Sequence, residues 1–183
     1  VRSDNAAAVI LVAAAAYLAW VILVAGCGTW GDWTWARTTG RPIEVVIDPS
    51  VGDCWRSATV EAVTGINAAV RGELLRVRVA ESRAAVPLVN EILIVEGTLG
   101  TMQCHEGMTC ERAGVAGPTT LVGRRILSAK VTLSRRYCSA KTAAHELGHA
   151  LGLGHRQDGT IMTQGRAANR WHRDDVAHMR ESL

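Results

Sequence analysis

From Arg41 onward the apolar and polar positions of the chain change period in an ordered way. RPIEVVID (41–48) has the β-branched content of a strand. Asp48-Pro49-Ser50-Val51-Gly52 is turn material. CWRSATVEAVTGINAAVRG then places small or apolar residues at helical spacing: Trp55, Ala58, Ala62, Ile66 and Ala69. LLRVRVA (74–80) alternates, with Arg76 and Arg78 on one side and Leu75, Val77 and Val79 on the other. EILIVEG (91–97) is a near-continuous apolar run, the pattern of an interior strand covered on both faces. Residues 98–123 are rich in Gly and Thr and predict loops around one short strand near Thr119–Val122. RILSAKVTLS (125–134) predicts a further strand. A helix is predicted after Ser139, whose hydroxyl suits the N-cap, and runs to about Leu151. HRDDVAHMRESL predicts a terminal helix, with Asp174 and Asp175 in the first turn where the helix dipole favours anions. The order strand, helix, several strands, helix, helix gives an α/β (α+β) domain with a small C-terminal subdomain.

Ahead of this domain stands a different kind of segment. Ala6 to Gly26 is an uncharged apolar run of about one membrane thickness. It ends in Val24-Ala25-Gly26-Cys27, which resembles a bacterial lipobox, where a cysteine after small residues is lipidated. Two readings lead, a lipoprotein signal with Cys27 as the acceptor or an uncleaved signal anchor, with a buried core helix as the third. Both leading readings export the globular part and tether it to a membrane. The chain thus divides into a signal or anchor (1–27), a linker (28–40) and a domain (41–183). Trp30, Trp33 and Trp35 in the linker are either an interfacial aromatic belt or a tether that packs onto the domain.

Cysteine usage agrees with export. Of the five cysteines, four remain if Cys27 carries lipid, an even number for two disulfides. Three connectivities are open to Cys54, Cys104, Cys110 and Cys138. Pairing Cys104 with Cys110 closes a short loop and leaves Cys54 for Cys138. No C-x-x-C pair is present, which argues against thiolate zinc sites and thioredoxin-like chemistry. The 183 residues are 48% apolar and 20% charged, as for one folded domain plus an appendage, and the net charge of +3 is too mild to indicate nucleic acid.

The candidate chemistry is concentrated in HELGHALGLGHRQDGTIMT (145–163). Residues four apart share a helix face, so His145 and His149 can bind one metal ion. Glu146 follows the first of them and can take a proton from water without ligating the metal. Gly152 suits the end of the helix, where a left-handed bend would bring His155 back to the same ion. Three neutral imidazoles leave one tetrahedral position open, which is the pattern of a catalytic zinc site and not of a structural one.

H-E-x-x-H-x-x-G-x-x-H followed by a Met-turn is the signature of the metzincins, and His145, Glu146, His149, Gly152 and His155 match every fixed position. The wording HELGHALGLGH, with Met162 after it and the acidic pair Asp174-Asp175, resembles a matrixin most closely. Recognisable wording covers about residues 139–183, and element order extends the resemblance to 41–183. It implies a zincin-like catalytic domain, with a twisted mixed sheet, two main helices and a small C-terminal subdomain. His145, His149 and His155 would bind one catalytic Zn²⁺. Glu146 would be general base, Met162 a hydrophobic floor, and one of the two aspartates a brace under the Met-turn. The short strand near Thr119–Val122 would be the antiparallel edge to which an extended peptide adds itself.

The sequence also departs from the family. Residues 28–40 hold no cysteine-switch motif, and His105 is the only histidine in 98–125, where animal matrixins place a second zinc. Calcium is not indicated. Thr163 to Ala168 lacks the matrixin Tyr-Pro at the wall of the specificity pocket. The expected function is a membrane-tethered, exported zinc endopeptidase acting as a monomer on a protein or peptide substrate. The alternative is a non-catalytic binding module of the same fold that keeps zinc for stability.

Overall fold

The computed structural model describes residues 33–36, 40–83, 86–105, 108–163 and 169–182, of which 103–105 and 108 by backbone alone. The apolar run Ala6–Gly26, Cys27 and Trp30 lie outside the described residues. In chain order the elements are β1 (Thr34–Trp35), β2 (Ile43–Ile47), α1 (Asp53–Val70), β3 (Leu75–Val79) and β4 (Glu91–Gly97). There follow β5 (Thr101–His105), β6 (Met108–Glu111), β7 (Gly114–Val122), β8 (Arg125–Ser134), α2 (Ala140–Ala150) and α3 (Arg173–Arg180).

The main sheet has the order β1-β8-β4-β2-β3, all parallel, and β7 pairs antiparallel with β8. This is the mixed α/β architecture expected from the sequence. β4 lies between β2 and β8, and Ile92, Leu93 and Ile94 are all buried, as its unbroken apolar run requires. β3 closes the opposite edge. Its alternation buries Leu75, while Arg76 and Arg78 face water. On the inner face, Val45, Ile47, Ile92, Ile94, Val131 and Leu133 pack against α1 and α2.

α1 presents Trp55, Ala58, Ala62, Val63, Ile66 and Val70 to this core. Val70, not Ala69, ends the buried stripe. The Asn67 side chain fastens the helix to the sheet. Its amide donates to the Leu75 carbonyl at 2.8 Å, and its oxygen accepts from the N–H groups of Leu74 and Leu75. A disulfide joins Cys54, in the first turn of α1, to Cys138, just ahead of α2. Cys110 is also disulfide-bonded; the side chain of Cys104 lies outside those described.

The segment 98–123 differs from the loops expected there. β5 and β6 form an antiparallel hairpin, and β7 is a nine-residue strand in place of a short one near Thr119. Gly114, Gly117 and Pro118 read locally as loop, yet β8 supplies the pairing. Proline is tolerated because β7 is an edge strand and its register shifts between Pro118 and Thr120.

Trp33 and Trp35 pack onto the domain, which settles the tether reading for these two residues. Trp35 is 1% exposed, and its indole N–H donates 3.0 Å to the carbonyl of Ala150, one of the carbonyls left open where α2 ends. Trp35→Phe keeps most of the buried ring and removes this bond. We expect a loss of about 1–2 kcal/mol in a denaturant titration. An unchanged midpoint would mean that the Ala150 carbonyl is satisfied by other groups.

Candidate active site

α2 begins as its sequence suggests. Ser139 has extended backbone, and its hydroxyl accepts from the Thr142 N–H at 3.2 Å. His145, Glu146 and His149 follow on this helix. At its end Gly152 takes φ +92, and the N–H of Leu153 returns to the Gly148 carbonyl at 2.9 Å. A side chain on Gly152 would run into the Trp33 carbonyl, so both the backbone angle and the space demand glycine. This turn brings His155 back over the helix.

The three imidazoles converge. Nε2 of His149 lies 3.1 Å from Nε2 of His145 and 3.0 Å from Nε2 of His155. Nitrogens bound at about 2.0–2.1 Å to one tetrahedral zinc would stand roughly 3.3–3.4 Å apart, so the spacing fits one ion. Nδ1 of His145 donates to the Ile161 carbonyl at 2.7 Å, and Nδ1 of His149 to the Leu153 carbonyl at 2.8 Å. With the ring proton committed there, each neutral ring turns a bare Nε2 lone pair toward the centre. Between His145 and His149 the 3.1 Å contact is therefore no hydrogen bond. Two acceptors held this close are the arrangement of ligand atoms around a cation. Among the described residues this is the one cluster of three or more metal-ligating side chains.

Burial keeps the rings neutral. It lowers the pKa of all three histidines, that of His149 to about 3, and for His149 and His155 repulsion from neighbouring charged rings adds to the effect. In the metal-free protein the His149 ring should titrate well below exposed histidines, and those of His145 and His155 below them, as followed by NMR. The linkage has a definite sign. Below about pH 6.5 the unfolded chain binds protons that the folded site refuses, so these groups lower the stability of the metal-free fold as pH falls from there toward their folded pKa values. A midpoint near 6.5 for His149 would contradict the burial argument.

Glu146 is 6% exposed and lies against β7: a Cβ placed on Gly114 would stand 2.5 Å from its Cγ. Burial pushes its carboxyl up to about 8, while the positive charge of Arg112 pulls the other way. Met162 is fully buried beneath α2, in the space that Gly148 leaves open and beside Trp171. A side chain at Gly148 would collide with the Met162 sulfur, which explains a glycine in mid-helix.

The turn that carries Met162 is tied to α3 through Arg156. The Arg156 N–H donates to the Met162 carbonyl at 3.0 Å, and its Nε donates 2.6 Å to the buried carboxylate of Asp175. Asp175 therefore supports the turn through the residue next to His155. Asp174 is mostly exposed, with one oxygen 3.9 Å from Arg156. His172 caps α3 through Nδ1, which accepts from the Asp174 N–H, and His178 Nε2 donates to the Trp33 carbonyl at 2.9 Å. Sequence reading missed Gly114, Arg112 and Trp171. Each acts through a partner distant along the chain, and none carries a local signal. Residues 164–168, the expected pocket wall, lie outside the described residues.

β7 runs above α2 with its first residue at Glu146. One of its edges pairs with β8, and among the described residues no strand covers the other.

No family model and no curated protein matches the chain. Among solved structures it is similar to high choriolytic enzyme 1, a hatching enzyme zinc-protease from Oryzias latipes (medaka fish). The TM-score is 0.42 at 19% identity, over 71% of this chain and 53% of that one, so the chain spans about half the length of that enzyme.

Proposed function

We propose that this chain is a zinc-dependent endopeptidase of the metzincin type with matrixin-like wording, exported and held at a membrane by its N-terminal segment. The observation that carries the reading is the convergence of three imidazoles, two with their Nδ1 protons tied to backbone carbonyls, beside a buried glutamate on the same helix. His145, His149 and His155 would hold the ion through Nε2. When bound, zinc supplies Lewis-acid polarisation of a carbonyl and acidifies water toward neutrality.

The chain's own groups do the rest. Glu146 accepts the proton of the attacking water and passes it to the leaving amine. Burial alone would keep its carboxyl protonated at neutral pH. The charge of Arg112, joined by that of a divalent ion at the adjacent imidazoles, favours the carboxylate form that a base requires. The open edge of β7 holds the peptide extended by backbone hydrogen bonds. Met162, packed under Gly148, keeps the floor of the site dry and rigid.

The test is metal analysis and cleavage of an unstructured protein such as casein by the chain prepared under oxidising conditions. One zinc per chain is expected, with cleavage lost on chelation and restored by zinc. Failure to bind zinc, or cleavage indifferent to chelation, would sink the reading. Mass spectrometry of the mature N-terminus decides between lipidated Cys27 and an uncleaved anchor.

A further inference from the structure

We propose that Arg112 is a specificity-determining residue of this cleft, its guanidinium receiving a substrate carboxylate on the C-terminal side of the bond that is cut. The proposal rests on the peptidase reading above and names its substrate class. Arg112 stands two residues ahead of Gly114, the point where β7 touches Glu146. Its backbone N–H donates to the Gly100 carbonyl at 3.2 Å, which fixes the chain's entry into β7. The side chain is half-buried, and its charge acts on Glu146. Among the described residues it makes no ion pair or side-chain hydrogen bond. The neighbouring acid, Glu111, is held by Arg136 instead.

A guanidinium partly withdrawn from water, with no carboxylate in hydrogen-bond contact, gains from an anion that reaches it. Its planar fork fits a carboxylate with two parallel hydrogen bonds. The direction of the peptide gives the side. An extended peptide that pairs antiparallel with β7, the more stable ladder, runs opposite to it. Residues just ahead of Gly114, where the chain enters β7, then lie toward the substrate residues that follow the one at Gly114. Arg112 therefore faces the C-terminal part of the substrate. The carboxylate comes from an aspartate or glutamate side chain or from the substrate's own C-terminus.

The test uses zinc-loaded protein and quenched fluorescent peptides that share one core. They carry Glu, Gln or Lys at each of the first three positions after the cleaved bond, each as free acid and as C-terminal amide. At one position wild type should cleave the Glu peptide at least about tenfold better than the Lys peptide in kcat/KM. Arg112→Gln should bring the ratio toward one, Arg112→Glu should reverse it, and Arg112→Lys should retain part of it. A preference for the free acid over the amide, with side chains indifferent, identifies the terminal carboxylate as the source. A ratio near one in wild type, or a ratio unchanged in Arg112→Gln, overturns the proposal. Fluorescence anisotropy of the same peptides on Glu146→Gln measures binding apart from hydrolysis. If nothing is cleaved but Arg112→Gln abolishes charge-selective binding, the peptidase reading fails and the role of Arg112 stands. Binding that is blind to charge overturns it.

Discussion

Glu146→Gln should lower kcat/KM by about 10²–10⁴-fold, the usual contribution of a positioned general base, while the zinc content per chain stays at the wild-type level. The two parts of this expectation have separate causes. Glutamine has nearly the shape of glutamate, so the close contact with Gly114 is kept. The site of Glu146 is buried, and among the described residues its carboxyl makes no side-chain hydrogen bond, so the amide gives up only the attraction of the Arg112 charge. The metal, by contrast, is to be held by Nε2 of three histidines, two of which are oriented by the carbonyls of Ile161 and Leu153. None of these atoms belongs to Glu146. An amide cannot take up the water proton, so hydrolysis should fall without loss of metal. The same variant separates the two functional readings. A zinc-stabilised binding module predicts metal without hydrolysis in wild type as well. Equal cleavage by wild type and Glu146→Gln would remove Glu146 from the mechanism. Loss of zinc along with activity would make the variant a structural lesion.

What the sequence made legible and what it hid follow from the range of the interactions. The start of α2 could be read because the Ser139 cap and the spacing of His145 and His149 are local. β8 was readable over its full length for the same reason, since its apolar alternation needs no outside information. Gly152 was readable because a left-handed turn leaves a residue-level mark. β7 was readable only near Thr119–Val122; its first half was not, because Gly114, Gly117 and Pro118 deny strand structure locally and only pairing with β8 imposes it. The purpose of Gly148 was equally hidden: the room it makes is filled by Met162, from the following turn. Trp35 gave no sign of its partner, Ala150, 115 residues away. Family resemblance pointed to one of Asp174 and Asp175 as a brace under the Met-turn, and the structure gives that contact to Asp175. That it acts through Arg156 depends on how α3 docks, which no pattern in the sequence encodes.

Replacing both Cys54 and Cys138 by serine should destabilise the fold by about 2–5 kcal/mol, the range for removing a native disulfide. For a domain of this size that is a fall in Tm of about 5–15 °C. The bond spans a sequence separation of 84 residues, which encloses α1 and most of the sheet. Without it the unfolded chain regains the freedom of that loop, so much of the effect arises in the unfolded state and not from a lost contact. Position adds a second consequence. Cys138 directly precedes Ser139, the cap of the helix that carries His145, Glu146 and His149. If the disulfide only restricts the unfolded chain, zinc affinity measured well below Tm should match wild type. If it also sets where α2 begins, affinity should fall even in the folded protein. The first outcome is expected, because Ser139 has its own hydrogen bond to Thr142 and the helix is anchored at its other end by Trp35. Thermal unfolding with and without reductant, run beside a zinc titration at low temperature, measures both quantities. An unchanged Tm in the double variant would show that the Cys54–Cys138 bond does not form in the mature protein. The proposal of an oxidising compartment would then rest on Cys110 and the N-terminal segment alone.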